Sequence, residues 1–281
     1  MVKTYQALLH EGAEALLNYS DTPRLDCEVL LAHIVKKERV WLAVHLKEET
    51  DKNTEEAYRA LIERRKSGEP VAYIVGKREF MGLNFTVSEG VLIPRPDTET
   101  LVEAVMEMPL PDDARIIDLC TGSGAIAISL AHYIKGSEVL AVDFSDICVK
   151  TAQKNAEING VSKQVSIVQA DIMTDFYDDD KFDVLVSNPP YIKTEVLGSL
   201  MTDVRDFEPT TALDGGDDGL IFYRRIASLL PKLLKKGGFL ALEVGHDQAE
   251  DVAKILAVAG CTDIDFHADL AGIRRVVVGR Y

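Results

Sequence analysis

From residue 115 to the end of the sequence, short apolar runs alternate with longer amphipathic segments. The apolar runs are continuous, which is typical of strands buried on both faces of a parallel sheet. The pattern predicts strands at 116–119, 139–142, 165–168, 182–187, 239–244 and 274–278. It predicts helices at 125–133, 147–159, 220–234 and 248–259. Strands that alternate with helices indicate an α/β fold with helices on both faces of the sheet.

The first 75 residues have the apolar spacing of helices and predict a small helical bundle. Asp21 or Thr22, followed by Pro23, is the expected N-cap of one helix, and Thr54 of another. We expect this bundle to serve recognition or support rather than chemistry.

Two β-prone runs, 80–87 and 91–93, are separated by Gly90 and predict a β-hairpin that links two domains. The predicted organisation is a helical domain at 1–75, a hairpin linker at 76–93 and an α/β domain at 94–281.

The composition is that of a globular protein and argues against a membrane-spanning or secreted one. The 281 residues are 47% hydrophobic and 27% charged, as in ordinary globular proteins. No run approaches the ~18 apolar residues that a membrane span needs, and the start of the chain lacks the pattern of a secretory signal. The four cysteines are far apart, without a Cys-x-x-Cys pair, so neither disulfides nor a metal site is expected. A cytoplasmic location is expected.

The net charge of −15 is unevenly distributed. Residues 1–78 carry 13 basic and 13 acidic side chains, so the whole excess of acid lies in the remaining chain. Because nucleic-acid binding depends on Lys and Arg neutralising phosphates, an acidic α/β domain argues against general DNA or RNA binding.

A glycine-rich turn follows the first strand of the α/β domain. Residues 118–127 fit Gly-x-Gly-x-x-Ala between a strand and a helix, where the absence of Cβ atoms lets the backbone approach a ligand. Asp143 ends the second strand about 20 residues on, where nucleotide-binding folds place a carboxylate on ribose hydroxyls. Asp171 and Ile172, at the third strand end, could hold adenine. These strand ends predict an adenosine-type cofactor, which could also be a dinucleotide.

The fourth strand ends in Asn-Pro-Pro-Tyr at 188–191. Asn188 offers a side-chain carbonyl and Pro189 a backbone carbonyl, and two neighbouring acceptors fit a planar NH₂ group. Pro190 stiffens the loop, and Tyr191 offers a face for stacking. An ordinary turn would also contain Asn and Pro, but its place at the carboxyl edge of a parallel sheet favours a substrate site.

Together, Asn-Pro-Pro-Tyr and the glycine-rich turn resemble the S-adenosylmethionine-dependent amino methyltransferases, which act on amide or aromatic amine nitrogens. More narrowly, the chain resembles the protein-glutamine N-methyltransferases that modify bacterial peptide-chain release factors. The stretches that carry this resemblance span nearly the whole chain: 70–76, 91–99, 120–125, 188–191, 208–216, 243–246 and 269–272. Two positions depart from the family pattern: Cys120 stands where glycine is frequent, and Ile172 where an aromatic is commoner.

The resemblance implies a Rossmann-like, seven-stranded methyltransferase sheet with a final antiparallel strand, preceded by the helical bundle and the hairpin linker. It implies that S-adenosyl-L-methionine is bound by Cys120, Thr121, Gly122, Ser123, Gly124, Asp143, Asp171, Ile172 and Asn188. It implies that the substrate is bound by Asn188, Pro189, Pro190 and Tyr191, with Asn188, Pro189 and Tyr191 as the catalytic residues. The expected substrate is the glutamine of the Gly-Gly-Gln motif in a release factor. The enzyme is expected to be a monomer without metal, membrane or direct nucleic-acid contacts.

Three alternatives stay open. An adenine-directed DNA or RNA methyltransferase could use the same two acceptors, but the acidic domain and the lack of a basic, aromatic-rich segment count against it. A non-enzymatic adenosine-binding module would leave Asn-Pro-Pro-Tyr unexplained. A nicotinamide dehydrogenase comes last, because no acid or base for hydride transfer is evident.

Overall fold

The computed structural model of the protein describes residues 3–174, 176 and 181–281. This part of the chain forms two compact units: a smaller one, Met1–Lys77 with Met201–Phe207, and a larger one, Arg78–Leu200 with Glu208–Tyr281. No sequence pattern indicated that residues 201–207 join the smaller unit. The predicted domain boundaries stay a prediction.

Most helices and strands follow the predicted order. The helices are α1 (Tyr5–Leu16), α2 (Pro23–Val35), α3 (Arg39–His45), α4 (Lys52–Lys66), α5 (Val71–Val75), α6 (Glu99–Met106), α7 (Ala125–Tyr133), α8 (Asp146–Ile158), α9 (Thr202–Arg205), α10 (Ile221–Leu233) and α11 (Ala249–Val258). The strands are β1 (Lys77–Phe80), β2 (Leu83–Thr86), β3 (Arg115–Leu119), β4 (Glu138–Asp143), β5 (Val165–Gln169), β6 (Phe182–Ser187), β7 (Leu234–Glu243), β8 (Thr262–Ala268) and β9 (Arg274–Arg280). Strand β7 begins earlier than predicted. Strand β8 was missed because none of its residues is buried, so it lacks a continuous apolar run.

Two helices of the smaller unit, α2 and α4, begin at the polar N-cap residues Thr22 and Asp51. Thr22 is the N-cap of α2 with Pro23 in the first turn, as predicted. The prediction of Thr54 as N-cap of α4 is wrong, since Asp51 caps that helix and its carboxylate accepts the backbone N–H of Thr54 at 2.9 Å. Asp51 therefore satisfies one of the unpaired N–H groups of the first turn.

Tight packing surrounds Tyr58 in the core of the smaller unit. Its side chain is buried, and a Cβ atom on Gly12 of α1 would lie 2.1 Å from its hydroxyl oxygen. Because a methyl group would occupy the space of the phenol, only glycine fits at position 12 without movement of the core.

The linker hairpin differs from its prediction. Its strands are β1 and β2, joined at Met81 and Gly82, whose φ values are +50° and +68°. Two central residues with positive φ are what a tight type I′ hairpin turn requires. Residues 91–93, predicted as its second strand, lie outside the strands because the turn occurs nine residues earlier than Gly90 would place it.

In the described part of the larger unit, seven strands form one sheet in the order β5-β4-β3-β6-β7-β9-β8. Strands β3 to β7 pair in parallel, and β9 runs antiparallel to both β7 and β8. The predicted sheet and its final antiparallel strand are confirmed. The strand order reverses beside β3, with β4 on one side and β6 on the other, so their carboxyl ends meet at one edge.

Apolar cores cover both faces of this sheet, as the continuous apolar strands predict. Among the described residues, no helix is both long enough and apolar enough to cross a membrane.

Candidate active site

A cavity of about 370 Å³ lies in the larger unit, at the carboxyl ends of β3, β4 and β6. This is the place where open α/β sheets bind ligands, and small-molecule sites typically measure ~300–1,000 Å³. The structure brings most of the predicted site residues into its wall: Cys120, Thr121, Gly122, Ser123, Asp143, Asp171, Ile172, Asn188 and Pro190. Of the predicted residues, Gly124, Pro189 and Tyr191 lie outside the described wall.

The glycine-rich turn supplies backbone to the wall. Gly122 has φ +57°, and a Cβ atom there would meet no described atom within 4 Å, so this position is open. Gly124 has a different role, because a Cβ atom there would lie 3.1 Å from that of Ala152. It allows α7 and α8 to pack closely. Its predicted cofactor contact stays a prediction.

Cys120 occupies a backbone conformation that favours glycine. Its φ is +62°, in the left-handed region that costs other residues about 1–2 kcal/mol. This explains in physical terms why glycine is expected at the position. Burial raises the pKa of the Cys120 thiol well above its usual value, so the thiol stays protonated.

The Asp143 carboxylate braces the glycine-rich turn. Its two oxygens accept the backbone N–H groups of Gly122 at 2.8 Å and Ser145 at 2.9 Å. Burial raises its pKa, while these two hydrogen bonds act in the opposite direction. Asp143 therefore holds the shape of the cavity in addition to lining it, a role that the sequence did not reveal.

Asn155 was missed by the sequence analysis. It is fully buried on α8, and its amide nitrogen donates to the carbonyl of Ser123 at 2.9 Å and to that of Thr86 at 3.0 Å. Its carbonyl accepts the N–H of Thr86 at 2.7 Å. Asn155 thus ties the glycine-rich turn to the hairpin.

Apolar side chains form the wall beside Asp171. Ile172 is buried and lines the cavity, and the half-exposed ring of Phe144 lines it as well. An aromatic directly after Asp143 was a signal available in the sequence. From α10, Arg225 donates to the carbonyl of Ile172 at 2.5 Å and positions this loop.

Asn188 is oriented by a residue from another part of the chain. Its amide nitrogen donates to the Thr98 hydroxyl at 3.2 Å, which leaves its carbonyl oxygen as the group available to a ligand. Thr98 is buried, lines the cavity and immediately precedes α6. The sequence placed Thr98 in the 91–99 stretch that carries the family resemblance, but assigned it no role.

The Asn-Pro-Pro-Tyr loop is braced from behind. The Tyr191 hydroxyl donates to Glu243 at 3.4 Å, and the carbonyl of Tyr191 accepts the Gln248 amide at 2.9 Å. A Cβ atom on Gly215 would lie 2.7 Å from the Cα of Tyr191, so the glycine allows close backbone packing. Because Tyr191 is directed towards Glu243, its predicted stacking on a substrate stays a prediction.

The charge of the cavity is predominantly acidic. Asp143, Asp171 and Asp214 line it, whereas Arg95 is the one cationic side chain in its described wall. Arg95 is paired at 2.5 Å with the buried carboxylate of Glu208. An acidic wall suits a cationic ligand and repels phosphate groups.

Comparison with protein families matches both parts of the chain. Residues 7–76 match the PrmC N-terminal domain, and residues 96–203 match the methyltransferase small domain. The release factor glutamine methyltransferase of Clostridium acetobutylicum is 41% identical over 99% of this chain and 96% of its own. That of Vibrio cholerae is 38% identical over 100% of this chain and 98% of its own.

Among solved structures, the hMettl16 catalytic domain, in complex with the MAT2A 3'UTR hairpin 6, matches with a TM-score of 0.58. It is 21% identical and covers 76% of this chain and 81% of its own. At this identity the match shows a shared fold alone.

Proposed function

Because the chain belongs to the family of release factor glutamine methyltransferases, we propose that it methylates the side-chain amide of the glutamine in the Gly-Gly-Gln motif of a peptide-chain release factor. Membership of this family confirms the predicted S-adenosylmethionine-dependent protein-glutamine methyltransferase and its cofactor. The Gly-Gly-Gln motif and the individual residue roles are what we propose here.

The wall of the cavity fits this cofactor. Gly122 leaves open space beside its backbone, and the buried Asp143 carboxylate suits ribose hydroxyls. Phe144 and Ile172 offer apolar surfaces for adenine, and Asp171 offers an acceptor for its amine. When bound, S-adenosylmethionine supplies an electrophilic methyl group on a sulfonium sulfur, and a cation is favoured by the acidic wall.

The substrate amide needs orientation more than deprotonation. An amide nitrogen is a poor nucleophile because its lone pair is delocalised into the carbonyl. Two acceptors, the Asn188 side-chain carbonyl and the Pro189 backbone carbonyl, would hold the two N–H groups and favour the positive charge that develops on nitrogen. The amide proton can leave after transfer, so no general base is required. Pro190 would stiffen the loop that presents these acceptors, and Tyr191 would confine the amide plane.

One observation carries the proposal. Asn188 lines the same cavity as Asp143, and its nitrogen is committed to Thr98, so a carbonyl oxygen remains to accept from a substrate NH₂ group. An acceptor preorganised in a protein cavity discriminates strongly in favour of a matching donor.

The test is a methylation assay with labelled S-adenosylmethionine and, in separate reactions, purified release factor, DNA and RNA. Tandem mass spectrometry should locate one added methyl on the Gly-Gly-Gln glutamine, and none after that glutamine is replaced by alanine. Methylated adenine in DNA or RNA, with the release factor unmodified, would establish the alternative function instead.

A variant tests the role of Asn188. Asn188→Ala should lower turnover by about 10²-fold, the scale associated with losing one preorganised polar group. Cofactor binding should largely survive, since Asp143 and the glycine-rich turn remain. Near-normal turnover in a folded variant would exclude the amide-acceptor mechanism.

We also propose how the partner is recognised. Glycines next to the target glutamine add no Cβ bulk and would let an exposed loop enter the cavity. The helical unit would contact the body of the release factor and raise the effective concentration of the loop. Short peptides containing the loop should therefore be much poorer substrates than whole release factor. The enzyme would act as a cytoplasmic monomer, without direct nucleic-acid contact.

A further inference from the structure

Glu243 is a buried carboxyl group that the mechanism above does not use. It ends β7 and is 2% exposed. The Tyr223 hydroxyl donates to its backbone carbonyl at 2.7 Å, which holds this strand end in place. One carboxylate oxygen, Oε1, accepts from the Tyr191 hydroxyl at 3.4 Å. The other, Oε2, is buried without a hydrogen-bond partner among the described residues.

Thr98 lies close to both this carboxyl group and Asn188. The Thr98 hydroxyl accepts from the Asn188 amide nitrogen, so its own proton must be donated elsewhere. The same hydroxyl faces Glu243 and lowers the pKa of its carboxyl. An ionised carboxylate with a free oxygen is the acceptor that this proton requires.

We propose that Glu243 is a positioning residue, which fixes the amide orientation of Asn188 through the Thr98 hydroxyl. The inference rests on the proposed function of Asn188 as acceptor for the substrate amide. An ionised carboxylate can only accept, so Thr98 must donate to it and in turn accept from the Asn188 nitrogen. That order of hydrogen bonds turns the Asn188 carbonyl towards the cavity.

A hydrogen-bond donor at position 243 would allow the opposite order of hydrogen bonds. With glutamine at position 243, the new amide can donate to the Thr98 hydroxyl, which then donates to the carbonyl oxygen of Asn188. The Asn188 nitrogen would then face the cavity, where it repels a substrate NH₂ group. Protonation of Glu243 has the same consequence, because a carboxylic acid also donates.

The surroundings of Glu243 determine when it ionises. Burial raises its pKa to about 7, which outweighs the opposing effects of Thr98, Arg275 and Tyr191. Asp97 beside Thr98 raises the pKa further. Tyr223 from α10 also faces it and stays protonated, because burial raises its own pKa. Activity should therefore increase with pH through the neutral range.

The experiment compares Glu243→Gln, Thr98→Val and the double variant in steady-state methylation of whole release factor. Glu243→Gln should lower kcat/KM by at least tenfold while the calorimetric affinity for S-adenosylmethionine changes less than twofold. Thr98→Val should cause a similar loss, Thr98→Ser should recover much of it, and the double variant should lose no more than either single variant. The acidic limb of the wild-type profile near pH 7 should be absent in Glu243→Gln.

Other outcomes would overturn the inference. Full activity of Glu243→Gln, or independent losses that multiply in the double variant, would show that the two residues do not act through one chain of hydrogen bonds. If Glu243→Gln fails to fold, the inference is tested by the pair Thr98→Val and Thr98→Ser and by the wild-type pH profile. Full activity of Thr98→Val, or a flat pH profile near pH 7, would then contradict it. Asn188→Ala is assayed in the same experiment. If Asn188→Ala is fully active, the proposed function is contradicted. If Asn188→Ala is inactive while Glu243→Gln is active, only the role of Glu243 is contradicted.

Discussion

Replacing Asp143 by asparagine tests the cavity at its most constrained carboxylate. The two oxygens of Asp143 already accept from Gly122 and Ser145, and ribose hydroxyls would use their remaining lone pairs. An asparagine side chain keeps one acceptor, but its NH₂ group replaces the second and cannot accept from the backbone N–H of Gly122 or Ser145 that it then faces. Losing one hydrogen bond to a charged group costs about 1.5–3 kcal/mol. Since about 1.4 kcal/mol is a factor of ten in affinity, S-adenosylmethionine should bind roughly 10- to 150-fold more weakly.

The assay is isothermal titration calorimetry, with urea denaturation to confirm that the variant is folded. Because burial raises the pKa of Asp143, the folded protein carries a cost for this charge that asparagine removes, and stability should be largely kept. Asp146→Asn is the matched control: this carboxylate is exposed in the first turn of α8, where it pairs with Lys150, and should leave affinity unchanged. Wild-type affinity in Asp143→Asn would refute a role for the carboxylate in binding the cofactor.

Three further changes probe the stability of the fold, each measured by urea denaturation. Gly12→Ala should destabilise the protein by about 1–3 kcal/mol, because its methyl group would overlap the Tyr58 hydroxyl. Gly198→Ala is the control, since a Cβ atom there would meet no described atom within 4 Å. Equal losses of stability in the two variants would contradict the packing argument. Cys120→Gly should be neutral or stabilise by about 1 kcal/mol, since it removes the cost of a left-handed φ, and a loss above about 1 kcal/mol would show that thiol packing dominates. Burial raises the pKa of Asp118 to about 7, so its contribution to stability is present at pH 4 and lost as pH rises through 7. Asp118→Asn should therefore flatten the decline over this range by up to about 1.4 kcal/mol per pH unit, whereas parallel curves would contradict the shift.

The sequence alone determined the framework of the site. Continuous apolar runs located the parallel strands, and the residues that follow them, among them Asp143, Asp171 and Asn188, were predicted to share one pocket. This prediction needed no packing detail, because the carboxyl ends of parallel strands meet at one edge of a sheet whatever covers its faces. Strand β8 was not predicted by the same reasoning, since its residues are exposed or half-exposed and do not form an apolar run.

The tertiary structure alone decided which side chains form the hydrogen bonds that orient the residues at the strand ends. Thr98 lies 90 positions before Asn188 along the chain, and Asn155 lies 32 positions after Ser123, yet each pair is joined by a hydrogen bond. Glu243 begins the 243–246 stretch that carries the family resemblance, but nothing in the sequence indicates that it contacts Tyr191. A hydrogen bond depends on distances of about 3 Å and on the direction of a lone pair. Such geometry arises only when helices and strands from distant parts of the chain have packed together, so periodicity and spacing along the sequence do not encode it locally.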